Sequence, residues 1–213
     1  MPGSAGLAAS RDYVEAFLPE DEPLRAARTR AQELGCVPVS PAAGAFLRFL
    51  ASVVGARAAV EIGTGTGVSG LWLLRGMNPD GVLTSVDTET EHQRAARETF
   101  GEAGIPAPRA RLINGAALQV LPRLTDGAYD LVFADAAKTE YGEYLTEALR
   151  LLRPGGIVAF DNMLWHDRAA EASVHDDETV AIREVAAAVR ENESLVPVLV
   201  GSGDGVLAAL RIG

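Results

Sequence analysis

Two short acidic segments carry the residue types in this chain best suited to chemistry. Phe133-Ala134-Asp135-Ala136-Ala137-Lys138 follows the run Tyr129-Asp130-Leu131-Val132, and Ala159-Phe160-Asp161-Asn162-Met163-Leu164-Trp165 follows Gly156-Ile157-Val158. A carboxylate just past a buried strand is costly to desolvate without a partner. Two such ends, with an amide beside one, offer three oxygen ligands for a hard divalent cation. Lys138, three residues after Asp135, reaches the same site. The same residues also suit blander roles: Asp135 as a helix cap, Asp161-Asn162 as a turn, Lys138 as a solvated lysine at a helix start.

Upstream, Val60-Glu61-Ile62-Gly63-Thr64-Gly65-Thr66-Gly67 reads as a strand feeding a glycine loop that opens a helix. Glycines let backbone approach a ligand closely, and free amides at a helix start attract negative groups. Asp87 ends the next predicted strand, where a carboxylate can accept ribose hydroxyls. The spacing is Gly-x-Gly-x-Gly rather than Gly-x-Gly-x-x-Gly. The pattern points to an adenosine-containing cofactor. Glu61, just before the loop, would repel a pyrophosphate and suits the cationic ammonium or sulfonium of S-adenosylmethionine.

These residues must be positioned by a scaffold, and the rest of the sequence describes one. The chain has 213 residues, 48% of them hydrophobic and 23% charged, enough for one domain with a sizeable core. Its net charge of −10 argues against a protein that tracks nucleic-acid phosphates. Cys36 is the single cysteine, which excludes an internal disulfide or a cysteine-based zinc site and fits a reducing cytoplasm. The N-terminus lacks the basic and apolar regions of a secretion signal, and no apolar stretch approaches the ~20 residues of a membrane span.

Met1–Ser10 is expected to be a frayed tail, followed by short helices over Arg11–Leu18 and Leu24–Leu34, the latter ended by Gly35. Val37–Val39 reads as extended. Ser40-Pro41 has the chemistry of an N-cap and first helical residue for a helix running to about Gly55. From Ala58, strands alternate with helices. The strands are Ala58–Ile62, Val82–Asp87, Ala110–Asn114, Tyr129–Asp135 and Gly156–Asp161. The helices are Val68–Met77, Glu89–Ala103, Ala117–Leu124 and Glu140–Leu152. This alternation predicts a parallel sheet covered on both faces. After a helix at Glu178–Glu191 come strands Leu195–Gly201 and Val206–Ile212, whose short link requires antiparallel pairing. The expected fold is a single-domain α/β, Rossmann-like, seven-stranded sheet with one antiparallel strand near the C-terminus. Residues 1–39 form a helical extension, and 40–213 form the cofactor-binding and catalytic core.

Val60–Ser69, Asp87, Asn114-Gly115-Ala116-Ala117, Asp135-Ala-Ala-Lys138 and Asp161-Asn162-Met-Leu-Trp165 together resemble the cation-dependent O-methyltransferases. This group includes catechol and caffeoyl-CoA O-methyltransferases and small bacterial relatives. The resemblance runs from about Ser40 to the C-terminus and includes Gly203-Asp204-Gly205-Val206. It implies S-adenosylmethionine bound by Val39, Glu61, Gly63, Gly65, Gly67, Ser69, Asp87 and Ala116, with Asp135 shared between cofactor and metal. Glu61 would lie near the methionine moiety, Ser69 at its carboxylate, Asp87 at the ribose, Ala116 by the adenine and Val39 over the methionine end. It further implies a divalent cation, magnesium first and manganese or calcium as alternatives, held by Asp135, Asp161 and Asn162, and Lys138 as general base. The acceptor would be a small catechol-like or other vicinal diol, with no nucleic acid or membrane partner. Relatives in this group are often homodimers, and the apolar faces of Arg11–Leu34 suit either a partner subunit, a cover for the active site or packing on the chain's own sheet.

The aromatic contacts that the mammalian catechol enzyme has after its first acidic motif are missing at Ala136-Ala137, so the loop Leu164–Thr179 is expected to supply much of the substrate wall. Trp165 could line that wall or pack in the core, His166 reads as a surface residue, and His92 and His175 are given no role. Competing readings are a cofactor-binding protein of this fold without turnover, and an NAD(P)-dependent oxidoreductase. The latter is opposed by the absence of a lysine four residues after Tyr141 or Tyr144. A base-methylating enzyme is opposed by Met163-Leu164, where such enzymes carry Pro-Pro-aromatic.

Overall fold

A computed structural model of the protein describes residues 4–213. Three helices come first, α1 (Ser4–Ala16), α2 (Glu22–Leu34) and α3 (Pro41–Val53). The alternating region follows as β1 (Ala58–Ile62), α4 (Val68–Gly76), β2 (Val82–Asp87), α5 (Thr90–Glu102), β3 (Ala110–Asn114), α6 (Ala117–Val120), β4 (Tyr129–Ala134), α7 (Tyr141–Leu151) and β5 (Leu152–Phe160). It closes with α8 (Asp177–Glu191), β6 (Leu195–Val200) and β7 (Val206–Arg211).

The strands form one sheet in the order β3-β2-β1-β4-β5-β7-β6. Strands β1 to β5 pair in parallel, and β7 runs antiparallel to both neighbours. The order reverses direction between β1 and β4, so the crevice of a doubly wound sheet opens there, past the strand C-termini. Side-chain alternation along each strand supplies two cores. Ala59, Leu83, Leu131 and Ala159 face α2 to α5, while Val60, Val86, Val132 and Val158 face α6 to α8.

Local chemistry explains most boundaries. Ser40 caps α3 by accepting the Ala43 amide, with Pro41 at the first turn, and Gly35 closes α2 in the left-handed conformation at φ 69°. Several expectations change. Of the predicted tail, Met1–Gly3 lie outside the described residues, while Ser4–Ser10 belong to α1, as befits an alanine-rich stretch. That helix ends at Ala16, two residues short of the expected Leu18. Val37–Val39 is extended but pairs with no strand. The predicted helix Ala117–Leu124 is α up to Val120 and then a 3-10 turn through Pro122, which has no amide to continue the ladder. Glu140 lies in a 3-10 turn (Lys138–Glu140) ahead of α7, and β5 begins at Leu152 rather than Gly156. Its register on β4 slips at the Pro154-Gly155-Gly156 segment, where Gly155 adopts φ 79°.

Of the expected roles for the N-terminal helices, packing on the chain's own core is seen for α2. α2 buries Leu24, Ala27 and Ala31 against the chain's own core. The described α1 side chains belong to neither core.

One charged side chain sits inside the α4–α5 core. Glu61 is interior to β1 and shares the face of Ala59, so its carboxyl points beneath α4 and is 0% exposed. Ser69 Oγ donates to Oε1 at 2.7 Å and Ser85 Oγ to Oε2 at 2.5 Å, and Thr64 Oγ1 lies 2.7 Å from Ser85 Oγ. Burial pushes the Glu61 carboxyl up from 4.5 to about 7, although both serine hydroxyls pull it down. The folded state therefore holds the proton more tightly than the unfolded chain. Stability from this group is full below pH 4.5 and is lost as the pH rises through about 7. Glu61→Gln removes that loss while keeping partners for both serines. Denaturant titrations from pH 5 to 8 are expected to show the variant gaining on the native protein with rising pH, by on the order of 3 kcal/mol at the top. A difference independent of pH would show that Glu61 stays ionised throughout.

Candidate active site

The crevice at the β1/β4 reversal is a cleft of about 800 Å³ lined by both motifs singled out in the sequence. The two meet because Gly63 comes against the end of β4. A Cβ built on Gly63 would lie 2.2 Å from the Asp135 carbonyl oxygen, and its φ of 98° also suits only glycine. The glycine loop and the first acidic end are thus adjoining walls of one cleft. Gly65 donates its amide to Asp87 Oδ2 at 2.9 Å, while Asp87 Oδ1 accepts the Glu89 amide at 2.8 Å. This carboxylate fixes the loop to the end of β2 and still faces the cleft. His92, assigned no role above, lines the cleft with Nδ1 3.4 Å from Asp87 Oδ2.

Val39, Gly63, Gly65, Ser69, Asp87, Ala116, Asp135, Lys138, Asp161 and Asn162 all line the cleft. Glu61 and Gly67 do not. Glu61 lies inside a strand, so alternation directs it under the loop rather than past the strand end, and it reaches the cleft only through Ser69. Gly67 starts α4 at φ 85°, and a Cβ there would stand 3.0 Å from Ala96 Cα. Its glycine serves the packing of α4 on α5.

The acidic corner is built from the ends of β4 and β5. Asp135 Oδ1 accepts from Lys138 Nζ at 2.8 Å, and the ammonium lies 5.1 Å from the Tyr141 ring centroid and 5.8 Å from that of Trp165. Asp161 is buried beside them. Tyr141 Oη donates to its main-chain carbonyl at 2.9 Å, but its Oδ1 is buried with no hydrogen-bond partner. Burial and the nearby Asp135 charge push the Asp161 carboxyl up to about 7. A buried carboxylate oxygen with no hydrogen-bond partner, close to a second carboxylate, suits a hard cation. Among the described residues no group of three or more His, Cys, Asp or Glu side chains forms a metal cluster. The donor set here is two carboxylates and an amide, which fits magnesium-type ions better than zinc.

After Asp161 the backbone turns through four left-handed, non-glycine residues, Asn162, Trp165, His166 and Asp167, with φ between 48° and 67°. Such residues are held by their surroundings. The holder is Asp204, which accepts the His166 amide at 2.7 Å and lies 3.4 Å from Asn162 Nδ2. The sequence showed Asp204 only as part of a tight Gly-Asp-Gly link. Its position between two glycines was the available signal. Trp165 both packs on the α7–α8 core and lines the cleft, while His166 stands at the rim with its side chain 75% exposed.

The sequence profile of the O-methyltransferase family matches residues 17–212. A Mycolicibacterium vanbaalenii protein bearing a provisional O-methyltransferase name is 51% identical over 200 residues, covering 94% of this chain and 88% of its own. Among solved structures, the O-methyltransferase TomG of Streptomyces achromogenes, involved in tomaymycin synthesis and bound to S-adenosylmethionine, superposes with a TM-score of 0.88 at 29% identity over 100% of both chains. A Bacillus cereus O-methyltransferase in complex with S-adenosylhomocysteine superposes at 0.85 with 25% identity, over 96% of this chain and 97% of that one. Among the described residues no helix is long and apolar enough to cross a membrane. The dehydrogenase reading falls, and the chain belongs to the S-adenosylmethionine-dependent O-methyltransferase family.

Proposed function

We propose that this enzyme methylates one hydroxyl of a small vicinal diol, such as a catechol, with a divalent cation held by Asp135, Asp161 and Asn162. The observation that carries this reading is the buried, unpartnered Oδ1 of Asp161 beside Asp135, at the end of the cleft that holds the glycine loop. Magnesium is the first choice for three protein oxygens, and manganese or calcium suits the same ligands. When bound, the cation would act as a Lewis acid on the acceptor and lower the pKa of its hydroxyl.

The remaining chemistry belongs to the chain. The Gly63–Ser69 loop, Asp87, Val39 and Ala116 hold S-adenosylmethionine, with Asp87 at the ribose and Glu61 acting through Ser69. A phenol with pKa near 10 is mostly protonated at neutral pH. In this reading Lys138 serves as the general base that takes this proton at Nζ. The phenolic oxygen forms a bond to the methyl carbon as the carbon–sulfur bond breaks, leaving S-adenosylhomocysteine. Alignment within the cleft lowers the barrier. We read residues 1–213 as one catalytic unit acting in the cytoplasm, where the free thiol of Cys36 is stable.

We also propose a homodimer. Tyr13 and Phe17 near the N-terminus, Phe49 and Val53 on α3, and Val198 and Leu199 on edge strand β6 are exposed. Apolar surface of this extent, with an unpaired sheet edge, marks an association surface.

Asp161→Ala is expected to abolish chelator-sensitive methylation of a catechol while changing S-adenosylhomocysteine affinity less than about threefold, and Lys138→Ala to lower kcat far more than it changes KM. Full activity in EDTA would remove the cation, and a rise in KM alone would make Lys138 a substrate-positioning group. Sedimentation at micromolar concentration is expected to give the dimer mass, and a monomer there would refute the assembly.

A further inference from the structure

Helix α1 is attached in an unusual way. Of its described side chains, Gly6 and Ala8 to Ala16, only Glu15 is not exposed. These described side chains form no buried apolar stripe and give the helix little hydrophobic reason to dock. Among the described residues, its side-chain hydrogen bonds to the body are made by the Glu15 carboxylate. Oε1 accepts from Ser40 Oγ at 3.0 Å and from the Gly203 amide at 3.1 Å, and Oε2 accepts from the Ala42 amide at 3.0 Å.

These three donors come from two adjoining segments, the start of α3 and the β6–β7 link. Ser40 and Ala42 belong to the start of α3, where free amides and the helix dipole favour an anion. Gly203 belongs to the β6–β7 link. Val39 and Ser40 line the cleft, and so do Gly203 and Asp204. The two segments touch, since a Cβ on Gly203 would stand 2.7 Å from Ser40 Oγ. Asp204, one residue on, holds the His166 amide and faces Asn162. The single carboxylate therefore connects the segment over the glycine loop to the loop that supports the acidic corner.

We propose that Glu15 is a positioning residue for methyl transfer, clamping the α3 start to the β6–β7 link and so holding these two parts of the cleft's lining in register. The role in catalysis rests on the methyl-transfer reading above. The clamp itself does not.

The test compares full-length native protein with Glu15→Ala and the near-isosteric Glu15→Gln, which keeps one acceptor oxygen. Hydrogen–deuterium exchange should quicken by about tenfold at the amides of Ala42 and Gly203 in Glu15→Ala, and by less in Glu15→Gln, as expected for loss of charge-assisted hydrogen bonds. Calorimetry should show S-adenosylhomocysteine affinity weakened by about three- to tenfold in the same order. If Glu15→Ala does not fold, the Glu15→Gln comparison decides. A lower Tm with unchanged Gly203 exchange and unchanged affinity would overturn the clamp and leave Glu15 a stability residue. Failure of the native protein to bind S-adenosylhomocysteine would instead refute the functional reading, while exchange at Gly203 would still test the clamp.

Discussion

The close approach of Gly63 to the Asp135 carbonyl is the constraint on which the site depends. It occurs where neighbouring parallel strands β1 and β4 send their chains to opposite sides of the sheet. A Cβ at Gly63 would stand 2.2 Å from that carbonyl oxygen, so the two ends would have to move apart. With none there, the cofactor loop and the first acidic residue become two walls of one cleft. Asp87 then ties the far side of the loop to β2 through the Gly65 amide. The loop is held from both neighbouring strands before any ligand arrives, which is the preorganisation that transfer chemistry needs.

Two buried carboxyls show how the same desolvation has different consequences. Burial drives both Glu61 and Asp161 up to about 7. Glu61 has a hydroxyl donor at each oxygen, and Thr64 extends that network toward the loop. It is a satisfied polar group that supports the floor of the cleft. Asp161 has an oxygen with no donor at all, next to a second carboxylate. A satisfied group can be structural. An unsatisfied one at the cleft surface points to a ligand that completes it.

The second acidic end is held from behind and from the side. Tyr141, fully buried on α7, fixes the Asp161 main chain, and Asp204 supports the run of left-handed residues after it. Those conformations are unfavourable for residues with a Cβ. They persist because the β6–β7 link is pressed against both this loop and the start of α3. A Cβ on Gly205 would lie 2.6 Å from Leu164 Cγ, just as one on Gly203 would reach Ser40. The antiparallel end of the sheet thus does more than close the fold. It carries a polar link into the active-site rim.

Much of this was legible from residue order alone. The alternation of strands and helices, the antiparallel β7, the Ser40 cap and the carboxylates placed just past β4 and β5 follow from local rules of period, capping and link length. Those rules act between near neighbours and need no knowledge of the rest of the chain. Residues such as Asp135, Asp161 and Asn162 could be found because position at a strand end by itself directs a group toward the crevice of a parallel sheet. Contacts between distant segments were not legible. Glu61 and Gly67 sit in the glycine motif, yet their surroundings come from Ser85, Ala96 and other parts of later elements. Asp204 and Glu15 owe their roles to segments brought together across the molecule. Helical propensity in α1 and the slip of β5 at Pro154-Gly155-Gly156 were likewise settled against weak local signals. Residue order places these groups at the ends of the strands. Only tertiary packing decided which face one another, because burial, hydrogen-bond partners and close backbone approach depend on elements far apart in the chain.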